Sequence, residues 1–204
     1  MGIPSRAMRS ASVRLIVLAV AAGWVGASAT SSRADTALPP PSGGPAPNFA
    51  LTTQQNDRLW LTQLRGRAVV LAFGCTGCGA CPGLVPRLAD VARGLGDAPG
   101  RRVFFVLVTV DPARDTPAVL REFGRANGLR ASAWILLTED RAGQVDVVMR
   151  RYGVEVRRAG ERVEAACVVT LVDAAGEIRA RYASASLAAL GRDLRALLGL
   201  PASP

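Results

Sequence analysis

The residues best suited to chemistry in this chain are cysteines. Three of its four cysteines, Cys75, Cys78 and Cys81, lie in one short stretch with C-x-x-C-x-x-C spacing. This stretch follows an apolar run at 68–73, which predicts a buried strand, and it precedes Pro82, which suits the first turn of a helix. We therefore expect the thiols on a turn between a strand and a helix.

A cysteine at the N-terminus of a helix lies near the positive end of the helix dipole. That position favours thiolate over thiol and lowers the thiol pKa. A thiolate can attack a disulfide, or it can bind a soft metal ion such as Cu(I). Two overlapping C-x-x-C pairs at such a junction make a chance cluster of small turn residues the weaker interpretation.

The pair Cys78 and Cys81 favours redox exchange, because two intervening residues let both sulfurs approach disulfide geometry. Cys78 is expected to be the exposed nucleophile, and Cys81 the thiol that resolves the mixed disulfide. Cys75 has three open roles, as a third metal ligand, a resolving thiol or a packed thiol. The C-x-x-C pair therefore predicts a reversible disulfide.

Asp111 follows the predicted central strand at 103–110. It should lie at the carboxyl edge of the sheet, where open α/β sheets place ligands. The carboxylate could tune thiol protonation or contact a metal. Capping the turn at Pro112 is the slightly favoured alternative.

The chain contains no histidine among its 204 residues. This excludes histidine general-base catalysis, Ser-His-Asp and Cys-His sites, and histidine-ligated zinc or copper. Any metal site must use cysteine, carboxylate, methionine or backbone groups. Half of the residues are apolar, and the length suits one domain with a proper core.

The net charge of +9 raises the question of nucleic-acid binding. The basic residues are all arginine and are scattered along the chain, and three of them lie in the first fourteen residues. A solvated basic surface is therefore the favoured interpretation, and no nucleic-acid partner is expected.

The N-terminus, residues 1–34, predicts a signal peptide or an N-terminal anchor. A basic start precedes a short apolar run at 15–27, and Ala27-Ser28-Ala29 resembles a cleavage site. The run is short for a bilayer-spanning helix, which needs about 20 residues, although an uncleaved leader would anchor the chain. We expect an exported, periplasmic protein. Residues 35–47 are Pro/Gly-rich and predict a linker.

The folded domain is expected at 48–200, where apolar runs alternate with amphipathic segments. This order predicts a thioredoxin-like α/β domain, with a central mixed sheet flanked by helices and an N-terminal β-hairpin extension. The predicted strands are 49–52, 59–61, 68–73, 103–110, 134–137, 154–156, 163–165, 167–172 and 178–182, and the predicted helices are 82–95, 116–127, 140–152 and 184–198.

These residues resemble the Sco/SenC family of copper-handling, thioredoxin-fold proteins over about residues 46–198. Residues 73–78 and the following Cys81-Pro82 resemble the family's F-G-Y-T-x-C and C-P. Residues 110–117, Val-Asp-Pro-Ala-Arg-Asp-Thr-Pro, resemble its V-D-P-x-R-D-T-P most closely. The resemblance implies a thioredoxin-like fold and a role in copper-site or cytochrome c oxidase assembly.

Two departures separate the chain from the family. The family spaces its cysteines C-x-x-x-C, and it carries a copper-ligating histidine at a position that corresponds to about Ala165 here. Cys167 shares the strand face of Ala165, so the resemblance implies that it points near the cysteine turn. Cys167 is then either a substitute thiolate for Cu(I) or a small buried core residue.

Two functions therefore follow from the sequence. The first is a thiol–disulfide oxidoreductase that acts on a periplasmic partner's cysteines, such as those of an oxidase copper-site subunit, and needs no cofactor. The second is a metallochaperone that binds Cu(I) through thiolates alone, with Cys78 and Cys81 as ligands. A homologue that only binds partners is a weaker third. The redox function is favoured because the C-x-x-C pair is complete and the family's copper site is not.

Overall fold

The computed structural model describes most of the domain and none of the leader. The described residues are 43–77, 81, 83–139, 141, 143–159 and 162–202, with all side chains among them except those at 158, 159, 162 and 164. They belong to one contact unit, Ala34–Pro204. Within these residues no helix has both the length and the apolar character needed to cross a membrane. The predicted leader, 1–34, lies outside the described residues.

The described residues form strands and helices in the expected order. The strands are β1 (Ala50–Thr53), β2 (Arg58–Trp60), β3 (Ala68–Gly74), β4 (Val103–Thr109), β5 (Trp134–Thr138), β6 (Val156–Ala159), β7 (Arg162–Ala165), β8 (Val168–Val172) and β9 (Ile178–Ala183). The α-helices are α1 (Leu84–Gly94), α2 (Pro117–Ala126), α3 (Gln144–Arg151) and α4 (Leu187–Leu197). Short 3-10 turns precede β3 and α4, at Leu61–Leu64 and Ser184–Ser186.

The central sheet has seven strands in the order β2-β1-β5-β4-β3-β8-β9. β3, β4 and β5 run parallel, whereas β1 and β8 run antiparallel to their neighbours β5 and β3. β1 and β2 form the predicted N-terminal hairpin, and β6 and β7 form a separate two-stranded sheet. This arrangement confirms the predicted central mixed sheet flanked by helices.

The two faces of the sheet carry separate apolar cores. In β3, Val70 and Ala72 face a core built with α1, α2 and α4, while Leu71 and Phe73 face a core built with α3 and the β6–β7 hairpin. Successive side chains of a strand alternate between faces, so a strand covered on both sides reads as an unbroken apolar run. β3 and β4 are therefore held firmly on both faces, and their carboxyl ends form a fixed platform.

The ordered contacts begin slightly before the predicted start of the domain. The predicted linker included residues 45–47, yet the Ala46 N–H donates to the Gly176 carbonyl at 2.9 Å, and the Tyr152 hydroxyl donates to the Pro47 carbonyl at 2.9 Å. Burial raises the pKa of Tyr152, and the charge of Arg181 only partly opposes this. The phenol therefore stays protonated and remains a donor that holds this segment on the domain.

Gly100, in the turn between α1 and β4, can be compared with Gly66 to test how closely the backbone packs there. Gly100 and Gly66 both have φ of +85°, but only at Gly100 would a side-chain Cβ overlap the backbone carbonyl oxygen of Ser132. Gly66→Ala should lower the free energy of unfolding by about 1–2 kcal/mol, the cost of a left-handed conformation. Gly100→Ala should lower it by at least about 2 kcal/mol more, because backbone must also move.

Urea unfolding of both variants, followed by circular dichroism, measures this difference. Equal losses in the two variants would contradict the close approach of Gly100 to Ser132.

Candidate functional site

The cysteine turn begins at the carboxyl end of β3. The Gly74 carbonyl accepts the Val110 N–H at 2.8 Å, which continues the pairing of β3 with the segment after β4. Cys75 packs against the α3-side core, and Cys81 packs against the α1-side core. The Cys81 carbonyl accepts an N–H from the first residue of α1 at 3.1 Å. The turn therefore joins strand to helix as predicted.

Not every residue of the turn is described. Cys78, the predicted nucleophile, and Pro82 lie outside the described residues. Gly83 caps α1 with a left-handed backbone, φ +74°, so the helix begins two residues later than predicted. This places Cys81 three residues before the first residue of the helix.

The fourth cysteine reaches the turn through strand pairing. β8 runs antiparallel to β3, with Val169 opposite Ala72, and two further residues of this register place Cys167 across from Gly74. The Cys167 carbonyl accepts the Ser184 N–H at 3.0 Å, so pairing with the β9 side continues as well. The structure places Cys167 beside the cysteine turn.

Cys81 and Cys167 form a disulfide, with sulfurs 2.16 Å apart and Cα atoms 5.5 Å apart. Both residues are half-buried. The structure thus joins Cys81 to Cys167, whereas the C-x-x-C spacing predicted a bond to Cys78. The C-x-x-C spacing could not predict this partner, because Cys167 lies 86 residues after Cys81 in the sequence. Cys75 is also disulfide-bonded.

Ala165 lies against this disulfide. Its carbonyl oxygen is 4.0 Å from the Cys81 sulfur and 3.9 Å from the Cys167 sulfur. The position that the resemblance aligns with the family's histidine is therefore at the sulfurs, where a methyl side chain offers no ligand.

The available donors decide which metal ion fits. Reduction of the disulfide would give two neighbouring thiolates, which suit Cu(I). Across the described part of the chain, no group of three or more cysteine or carboxylate side chains is arranged to hold a metal ion. The residues present fit a low-coordinate soft ion and do not fit a Cu(II) site of imidazole type.

Asp111 holds the turn after β4. Its N–H donates to the Thr109 hydroxyl at 3.0 Å, and its carbonyl accepts N–H groups from Arg114 and Asp115 at 3.2 and 2.9 Å. Its carboxylate lies 3.6 Å from the Arg114 guanidinium. These are the contacts of the turn-capping role that the sequence slightly favoured.

Asp115 is the residue that sequence reasoning missed. Only 1% of its surface is exposed, and its carboxylate accepts the N–H and the hydroxyl of Thr76 at 3.1 and 2.5 Å. It also accepts the Thr109 hydroxyl at 2.5 Å. A buried carboxylate with three donors ties the cysteine turn to the end of β4 and the start of α2.

The signal for Asp115 was present in the chain. It is the second aspartate of the stretch 110–117 that carried the family resemblance. Its role depends on a contact with Thr76, 39 residues away, which spacing does not reveal.

A comparison with models of protein families shows to which family this chain belongs. The SCO1/SenC family model matches residues 42–197, about three quarters of the chain. The chain belongs to the SCO1/SenC family. This confirms the resemblance that the cysteine turn and the 110–117 stretch carried, and the SCO1/SenC match extends over every strand and helix described above.

Solved structures of Sco proteins share this fold. Arabidopsis thaliana ScoI with copper bound gives a TM-score of 0.64 at 24% identity, covering 75% of this chain and 99% of that one. BsSco is described as a member of the Sco family of cytochrome c oxidase assembly proteins with a disulfide switch. It gives a TM-score of 0.67 at 19% identity, and the match covers 81% of this chain and 99% of that one. At these identities the likeness shows the fold, and it confirms the predicted thioredoxin-like domain.

A curated relative gives a shorter match. A protein of Stutzerimonas stutzeri whose name assigns it copper binding is 40% identical over 74 residues, 34% of this chain and 35% of that protein. The chain thus matches about a third of the length of this relative.

The Cys81–Cys167 bond should contribute to stability. It closes a loop of 86 residues and so restricts the unfolded chain. Cys167→Ala should lower the free energy of unfolding of the oxidised protein by about 2–4 kcal/mol. Denaturant unfolding measures the loss, and peptide mapping without reduction should recover Cys81 joined to Cys167.

The reduced protein is the control. With dithiothreitol present, wild type and Cys167→Ala should differ by no more than about 1 kcal/mol, since only a small half-buried side chain then changes. A large difference that persists under reduction would show that Cys167 stabilises by packing and not by the bond.

Proposed function

We propose that this SCO1/SenC protein is a thiol–disulfide oxidoreductase that acts on a partner's cysteines, in the assembly of a copper site such as that of cytochrome c oxidase. One observation carries the proposal. A half-exposed disulfide, Cys81–Cys167, lies at the strand-to-helix turn, and Cys75 on the same turn is also disulfide-bonded. The described residues of this turn offer sulfur chemistry, and the chain has no histidine that could add an imidazole.

Exchange begins from the thiol form. The Cys78 thiolate attacks a sulfur of the partner's disulfide, so that a mixed disulfide forms and the other partner sulfur leaves as a thiolate. The Cys81 thiolate then attacks the Cys78 sulfur, and the second partner thiolate leaves. The partner has gained two electrons, and the chain holds a Cys78–Cys81 disulfide.

Cys167 supplies a further exchange. Its thiolate attacks the Cys81 sulfur, Cys78 leaves as a thiolate, and the Cys81–Cys167 bond of the structure results. No electrons are gained or lost in this step. Cys81 is thus the sulfur common to both bonds, and this exchange releases Cys78 from its bond to Cys81.

The position of Cys81 supports this role. It precedes α1, an eleven-residue helix, and its carbonyl accepts the first N–H of that helix. The positive end of the helix dipole stabilises a thiolate on Cys81. A more stable thiolate leaves faster, so both bonds to Cys81 should exchange readily.

The compartment and the partner follow from the leader and the family. Residues 1–34 have the pattern of an export signal, and an uncleaved leader would anchor the chain through 15–27. Exported proteins keep disulfides that the cytoplasm would reduce. The proposed partner is therefore an exported protein thiol or disulfide, such as an oxidase copper-site subunit, and not a nucleic acid.

A metallochaperone that carries Cu(I) is the second candidate. One observation favours it, because the sulfurs of Cys81 and Cys167 are close enough to bind one ion after reduction. Two sulfurs on one ion lie within about 4 Å of each other. Cys78 is a proposed third thiolate. Copper is here the cargo, and sulfurs that are joined in the disulfide cannot hold it.

Single cysteine replacements test the exchange roles. Reduction of a model disulfide by the reduced protein should be abolished in Cys78→Ser, because the attacking thiolate is gone. Cys81→Ser should stop at the mixed disulfide, since nothing resolves it. Cys75→Ser should keep much of the rate, and its equal loss with Cys78→Ser would contradict these assignments.

Anaerobic titration of the reduced domain tests the copper role. If Cys167 is a ligand, Cys167→Ala should weaken Cu(I) affinity at least about tenfold and barely change disulfide reduction. Cu(II) should bind poorly in both proteins, because no imidazole exists. An unchanged Cu(I) affinity in Cys167→Ala would remove this residue from the copper site.

A further inference from the structure

The β6–β7 hairpin has an open edge. β6 pairs with β7, and elsewhere in the described residues it pairs with no other strand. The Ala166 N–H donates to the Glu155 carbonyl at 3.1 Å, so residues 155 and 157 point their backbone groups towards β7. Bonding groups alternate along an antiparallel strand, and the N–H and C=O of Val156 therefore point outward.

A groove runs along this open edge. One wall is α3, with Met149 and Arg150, and the other is the segment 153–157. A second hollow shares Glu155 and Arg157 with this groove and is also lined by residues 165–166.

The second hollow adjoins the disulfide through Ala165. The Ala165 carbonyl lies within 4.0 Å of both sulfurs, and Cys167 is the next residue after the hollow. A chain that occupied both hollows would pass beside Ala165 and hence beside the disulfide.

We propose that this groove is the docking site for an extended segment of the partner protein, the segment that carries the exchanging cysteines. This rests on the proposed thiol–disulfide function. The segment adds to the open edge of β6 as a further strand and hydrogen-bonds the N–H and C=O of Val156. Thiol–disulfide exchange needs the attacking sulfur in line with the disulfide bond that it breaks, and strand pairing supplies that alignment.

Charge on the groove wall indicates which segments fit. Arg150 and Arg157 are exposed on opposite walls, and Arg157 borders both hollows. The acidic Asp146 lies on the α3 wall with Arg150, so the attraction for an acid is local to Arg157. Arg157 would attract an acidic side chain of the docked segment that lies next to it. Glu155, on the same face of the strand, would repel an acidic side chain placed beside it. The docked segment is therefore extended and carries an acidic residue near its cysteines.

The experiment compares two substrates of the reduced domain. One is a short synthetic peptide with an internal C-x-x-C disulfide and an aspartate flank, and the other is oxidised glutathione, which is too small to use the groove. The readout is the ratio of the two exchange rates. Val156→Pro removes the outward N–H, and Val156→Ala keeps it.

Val156→Pro should lower the peptide-to-glutathione ratio about fivefold, the loss expected for one backbone hydrogen bond, while Val156→Ala should change it less than about twofold. Circular dichroism checks that both variants fold. Equal ratios in the two variants, with glutathione reacting normally, would overturn the docking proposal and leave the redox function intact. A wild-type domain that reduces neither substrate would overturn the proposed function itself, and the docking proposal with it.

Charge reversal gives a second test that spares the backbone. Arg157→Glu and Arg192→Glu change the net charge equally, but Arg192 is exposed on α4, outside the groove. Arg157→Glu should slow the aspartate-flanked peptide about fivefold at low salt, and Arg192→Glu less than about twofold. Equal effects of the two variants would mean that only net charge matters and would overturn the assigned place of the acidic residue.

Discussion

The antiparallel register between β3 and β8 decides which sulfurs meet in this protein. With Ala72 opposite Val169, the start of β8 lies beside the end of β3, and Cys167 faces the same side of the sheet as the residues that pack on α1. A shift of one residue would turn Cys167 to the opposite face, towards α3, and away from Cys81. Both strands are buried on both faces, so the two cores fix this register and with it the disulfide.

Around that register, the aspartates of the 110–117 stretch hold the turn from the other side. Asp111 keeps its contacts within its own loop, whereas Asp115 reaches across to Thr76 and to Thr109. The cysteine turn is therefore anchored at one end by a buried carboxylate and at the other by a disulfide to β8. Both anchors are polar or covalent bonds and not contacts between large side chains. The turn can therefore be held in place although its own residues are small.

Much of the fold was predictable because the strands are continuous apolar runs and the helices have one apolar face. Both patterns can be recognised within a short window of sequence. The hairpin at β6 and β7 was also found, from turn residues between two short apolar segments. α3 begins at Gln144 and not near residue 140, because Gly143 takes a left-handed conformation that no periodicity reports. The site was predictable in its residue types and only partly in its partners. C-x-x-C spacing favoured Cys78 as the partner of Cys81, and a contact between distant strands brought Cys167 instead.

The lack of histidine and the position of Cys167 have opposite consequences for copper and for redox chemistry. A histidine near Ala165 could bind a metal whatever the state of the cysteines, because imidazole does not join sulfur. A cysteine at that side of the site binds a metal only as a thiolate, and the same thiolate is consumed when it bonds to Cys81. Replacing imidazole by thiol therefore makes metal binding and disulfide formation exclusive states of one pair of atoms. In an oxidising compartment the disulfide is the favoured state, and copper binding requires a reductant first. This exclusivity gives the redox function priority over the metallochaperone function on chemical grounds, independently of how the C-x-x-C pair is spaced.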